Sequence, residues 1–171
     1  MNRFALATLA ALTLSIPVLA APALAGDYRA GGVEVHRPWT RPAKVGMNGV
    51  GYLTVVNVGA KPIKLVAAES PAAKSVSIHQ SSMAGGVMSM RPVAGGLTIA
   101  PGAKVEFSPG GYHLMLMGLT NAQALGGKVP LTLVFDGGRK MRIDLSVESG
   151  AAKPGAASNS ADPMAGMHDH H

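Results

Sequence analysis

Cysteine is absent from the 171 residues. That excludes disulfide stapling, cysteine nucleophiles, iron–sulfur clusters and blue-copper electron carriers, which need a thiolate ligand. Aromatic residues are scarce at 4%, charged residues make up only 14%, and no Lys/Arg run is longer than Arg139-Lys140. Nucleic-acid binding calls for clustered basic residues with stacking aromatics, so the formal charge of +6 does not point there. It fits solubility or an acidic partner surface. No Gly-x-Ser-x-Gly serine context occurs, and no stretch carries a capped 3.6-residue apolar period.

One long apolar run is present, Phe4 to Ala20. It follows Arg3 and precedes Ala-Pro-Ala-Leu-Ala, with Ala23 and Ala25 at the small-residue positions of a cleavage site. This is the pattern of a secretory signal peptide over residues 1–25, with cleavage expected after Ala25. A membrane anchor is the weaker reading. The run is short, Pro17 and Pro22 interrupt it, and no stop-transfer pattern follows. The expected product is periplasmic and monomeric, without a membrane span. Residues 26–149 suit one domain. Residues 150–171 are rich in Gly, Ala, Ser, Pro and Asp, lack an apolar period, and are expected to be disordered.

From Val33 to Val147 short β-like runs alternate with Gly- and Pro-rich turns. The runs include GYLTVVNVG, SVSIHQ, VMSMRPV, YHLMLMGL, VPLTLVF and MRIDLSVE. Frequent short strands with such punctuation predict an all-β antiparallel sandwich or barrel. LTLVFDGGRKMRIDL reads as a hairpin over Asp-Gly-Gly. Trp39 in RPWTRP is expected to be a core aromatic, Met47 and Met141 core filler, and His36 an ordinary surface or satisfied histidine.

The unusual chemistry lies in SIHQSSMAGGVMSMRPV and GGYHLMLMGL. A hairpin centred between Ala84 and Gly85 would set His79 opposite Met90 and Ser81 opposite Met88, with Cβ atoms about 4.5–5.5 Å apart. In the second stretch, His113, Met115 and Met117 share one strand face, while Leu114 and Leu116 point into the core. His113 and Met115 are then about 6.6 Å apart along the backbone. Two imidazoles and two thioethers form a soft, neutral donor set. Thioethers favour Cu(I) and imidazole suits copper; zinc would recruit Cys or carboxylate, and calcium or magnesium oxygen. The spacing leaves the roles of Met83, Met88 and Met117 open.

With these residues the chain resembles the PCu(A)C periplasmic copper chaperones. Their signature is His, ten residues, Met, about twenty-one residues, then His-x-Met. Here His79 and Met90 are separated by ten residues, and Met90 and His113 by twenty-two, before His113-Leu-Met115. The extra residue is expected in a loop within AGGLTIAPGA. The resemblance covers about Val33 to Val147. It implies a cupredoxin-like or immunoglobulin-like β-sandwich with His79, Met90, His113 and Met115 as Cu(I) ligands. It also implies delivery toward the CuA-bearing subunit of cytochrome c oxidase, alongside a Sco-type protein.

The carboxy-terminal MAGMHDHH adds Met164, Met167, His168, His170 and His171, with Asp169 among them. Imidazole with carboxylate suits Cu(II), so this arm is expected to capture Cu(II). Two other classes stay open. One is a copper enzyme, which would want more than the three histidines between residues 26 and 149. The other is a sandwich adhesion or interaction module whose methionine face binds protein and whose metal binding is incidental.

Overall fold

The computed structural model describes residues 26–150. The signal peptide expected over residues 1–25, and all but the first residue of the expected tail, lie outside them. The strands are β1 (Tyr28–Ala30), β2 (Val33–Thr40), β3 (Gly49–Asn57), β4 (Ile63–Glu69), β5 (Ala73–Ala84) and β6 (Val87–Pro92). They continue as β7 (Leu97–Ile99), β8 (Lys104–Phe107), β9 (Tyr112–Leu119), β10 (Lys128–Phe135) and β11 (Lys140–Val147). Among the described residues the only helical element is the short 3-10 turn Asp136–Gly138, which joins β10 to β11. That is the hairpin expected over Asp-Gly-Gly.

The strands form one continuous path, β6-β5-β9-β8-β3-β2-β11-β10-β4-β7, with β1 added beside β2. Buried residues alternate with less buried ones along β2, β10 and β11, so these strands bury one face, whereas β6 at the end of the path has no buried residue. Val33 and Val35 of β2, Leu53 and Val55 of β3, Leu114 and Leu116 of β9, and Leu131 and Leu133 of β10 enter one core. Leu65 of β4 and Leu114 of β9 share that core although five strands separate β4 from β9 along the path. The sheet therefore wraps over itself in the sandwich manner. Pairing is antiparallel except for β11 with β2 and one contact of β8 with β9, which are parallel. Strands β2 and β11 lie at opposite ends of the chain, so no tight turn dictates their direction.

Two expectations fail for physical reasons. Trp39 is half-buried rather than a core residue. Arg37 has a φ of 46°, and the β2–β3 register shifts between His36 and Trp39. This bulge turns Pro38 and Thr40 inward and leaves Trp39 to pack on its cross-strand partner Tyr52, ring centroids 4.6 Å apart. Met47 is exposed on the loop before β3, whereas Met141 is in the core as expected. His36 is a surface residue held between the carboxylates of Asp27 and Glu34, each at 3.1 Å. The segment AGGLTIAPGA is not all loop, since Leu97–Ile99 is the edge strand paired with β4.

Replacing Leu114 with Ala, a fully buried site in the middle of β9, is expected to lower unfolding free energy by about 2–5 kcal/mol. Urea denaturation of the variant checks this.

Candidate metal centre

Strand β9 separates two kinds of chemistry. Leu114 and Leu116 are fully buried in the core, while His113, Met115 and Met117 take the opposite face by the two-residue alternation. Strand β5 lies antiparallel beside it, with Ser75 opposite Met117, Ser77 opposite Met115, and His79 directly opposite His113. The two imidazole centroids are 5.8 Å apart and the ring planes are inclined by 53°. The histidines, distant in sequence, thus meet through backbone pairing.

Among the described residues, each imidazole has one ring nitrogen engaged and one buried without a partner. His113 Nδ1 lies 3.2 Å from the Gly111 carbonyl. A carbonyl only accepts, so Nδ1 carries the proton and donates it, and the neutral ring presents its lone pair at Nε2. That Nε2 is buried and unpartnered. His79 Nε2 lies 3.0 Å from Ser77 Oγ, and its Nδ1 is the buried, unpartnered atom. A buried polar atom left unpaired costs about 1–3 kcal/mol, a cost that an electrophile bound at both nitrogens would relieve. Holding one ring nitrogen so that the other faces a metal is the usual outer-shell arrangement for histidine ligands. The Gly111 carbonyl also accepts from Ser81 N at 3.0 Å, so one oxygen anchors both β5 and the His113 ring.

The methionines sit on the same face at different depths. Met115 is half-buried beside Ser77 on one side and Val50 of β3 on the other. Met90 is 51% exposed, whereas His113 is only 4% exposed. The hairpin register differs from expectation. Met90 pairs with Ser81, Met83 with Met88, and His79 with Pro92. The turn is centred on Gly85-Gly86, with φ of 59° and 79°. A two-residue hairpin with positive φ at both central positions requires residues such as glycine at both. The correction is two residues in the sum of paired positions, so faces are preserved. Met90 remains on the His79 face, diagonal to it, where partners' Cβ atoms are about 7–8 Å apart or somewhat less. Met83 joins that face too, opposite Met88.

Histidine and thioether are therefore the donors on this face. Among the described residues no group of three or more His, Cys, Asp and Glu side chains is placed to hold a metal. A closed zinc site of the usual ligands, or a carboxylate cage for a hard cation, is thus not found there. Ser77 and Gly111 were missed in the sequence reading. Ser77 stands two residues before His79 and shares its face, which strand alternation alone could have flagged. Gly111 acts through its carbonyl and carries no side-chain signal. Met164, Met167, His168, His170 and His171 lie outside the described residues.

The model of the LpqE-like family matches residues 33–147. The chain belongs to the LpqE-like family. A relative within reach of this LpqE-like chain is protein Lxx21020 of Leifsonia xyli, 33% identical over 130 residues, covering 76% of this chain and 78% of that protein. Among solved structures, the copper-bound PCuAC domain from PmoF2 is 26% identical with a TM-score of 0.60, covering 72% of this chain and 97% of that domain. Apo-DR1885 from Deinococcus radiodurans is 28% identical with a TM-score of 0.51, covering 85% of this chain and 97% of that one. The resemblance to PCu(A)C domains therefore holds for family and fold.

In the metal-free LpqE-like chain, His113 is expected to be the Nδ1–H tautomer, which long-range nitrogen–proton NMR reads directly from the two ring-nitrogen shifts. A predominant Nε2–H form would contradict the Gly111 anchor.

Proposed function

We propose that this LpqE-like protein is a periplasmic copper carrier that binds Cu(I) through His79, Met90, His113 and Met115. The observation that carries the reading is the pair of buried, unpartnered nitrogens, His79 Nδ1 and His113 Nε2, on facing rings. Thioether residues flank them on the same face. The likeness to a copper-bound PCuAC domain supports copper as the cargo. Neutral N and S donors suit a monovalent soft ion, and a d10 ion imposes no demanding geometry on the protein. Thioethers also resist the disulfide chemistry that would disable exported thiolates.

The exposures set an order for transfer. Met90 is the most accessible of the four and His113 the most buried. An acceptor's thiolate would displace Met90 first, then Met115 and His79, with His113 released last. Each step exchanges one coordination bond for another. Copper stays monovalent and is never free. Seen this way the protein is a carrier, and no residue on this face is asked to turn over a substrate. The acceptor we propose is the CuA-bearing subunit of cytochrome c oxidase, with a Sco-type protein alongside. In the tail, Met164, Met167, His168, His170 and His171 would capture Cu(II).

The double variant His79→Ala/His113→Ala is expected to lose at least about a hundredfold in Cu(I) affinity, beyond the 10–100-fold typical of outer-shell changes. Anaerobic competition against a chromogenic Cu(I) chelator measures it, and undiminished affinity would remove the assignment. Ser77→Ala should cost about tenfold in the same assay. A chain ending at Ser149 should bind fewer equivalents of Cu(II) than the full chain. Equal stoichiometry by titration would end the capture role of the tail.

A further inference from the structure

Met83 and Met88 are left unused by the four-ligand site. They are direct cross-strand partners on β5 and β6, one pair in from the Ala84–Val87 pair that closes the Gly85-Gly86 turn. Their exposures are 69% and 60%, so packing against the core does not account for them. Strand alternation places both on the His79 and Met90 face. From His79 outward, that face reads Ser81 with Met90, then Met83 with Met88, each step about 6.6 Å along the strand. The glycine turn fixes the register, because positive φ at both central positions is available to few other residues.

Directly opposed Cβ atoms on adjacent strands are about 4.5–5.5 Å apart, and methionine adds three rotatable bonds and a polarisable sulfur beyond Cβ. Both sulfurs of the pair can therefore reach one small ion without moving the backbone. Such a pair, without imidazole or a buried wall, would hold a soft cation weakly and release it readily.

We propose that Met83 and Met88 form a second, thioether-only Cu(I) contact at the hairpin tip, which receives the ion and passes it inward to Met90. The proposal rests on the Cu(I) reading of the His/Met site and extends it to an entry route. In the passing step a copper–sulfur bond to Met83 or Met88 breaks as the bond to Met90 forms, and nothing is oxidised or reduced.

The test uses the full chain with carbon-13-labelled methionine methyl groups, titrated with Ag(I) as a redox-inert, thioether-seeking probe. The Met90 and Met115 methyl signals are expected to shift with the first equivalent. Those of Met83 and Met88 should shift in fast exchange, as a weaker site would. The variant Met83→Leu/Met88→Leu conserves volume on an exposed tip. It should keep the affinity for the first equivalent of Cu(I) but take the ion from a ligated donor several-fold more slowly. Stationary Met83 and Met88 signals, with Met90 and Met115 responding, would overturn the entry contact and leave the His/Met site standing. Wild-type uptake by the leucine variant would overturn it equally. Silence from all four methyl groups would remove both.

Discussion

The pairing of β5 with β9 is the constraint on which the site depends. It sets His79 against His113 and Ser77 against Met115, and no local turn joins these strands. A slip of one residue would send the imidazole or the sulfur of one strand into the core and bring a core residue to the surface. Leu114, Leu116 and Ile78 resist that slip because they are buried in the core cluster. Burial of side chains of this size stabilises by about 1.5–3 kcal/mol each. The hydrophobic effect on one face thus fixes the register of donors on the other, with no disulfide in a chain that has no cysteine.

The same division lets the protein keep a locally unfavourable arrangement. Two ring nitrogens are buried without partners, which destabilises the metal-free fold modestly. The core opposite them tolerates that cost. The hydrogen bonds to Ser77 and Gly111 hold the rings in place, so an ion bound as proposed would need little reordering. Depth grades from the exposed hairpin tip, through Met90, to buried His113. The proposed carrier role calls for such a gradient, since an ion sealed on every side could not be passed on by ligand exchange.

How much of this was legible in the sequence follows from the range of each interaction. The inward leucines and outward His and Met of β9 could be read because strand alternation is a local rule. The all-β fold was legible from the turn residues, and the family from the His/Met spacing. The hairpin register was not. AGG offers two adjacent centres, and only positive φ at both Gly85 and Gly86 selects the observed one. Trp39 was misplaced because a bulge at Arg37 inverts the face pattern of β2, and a bulge leaves no mark in a hydrophobicity pattern. The partnership of β5 with β9 is non-local, so sequence alone supplied the residues but not the 5.8 Å approach of the two rings.

X-ray absorption at the copper edge of the Cu(I)-loaded protein bears most directly on whether one ion is gripped from β5, β6 and β9 together. The account predicts a monovalent edge with nitrogen and sulfur scatterers together in the nearest shell, two imidazole nitrogens and two thioether sulfurs, in a chain ending at Ser149. A shell of nitrogen and oxygen alone, or sulfur without imidazole, would contradict it.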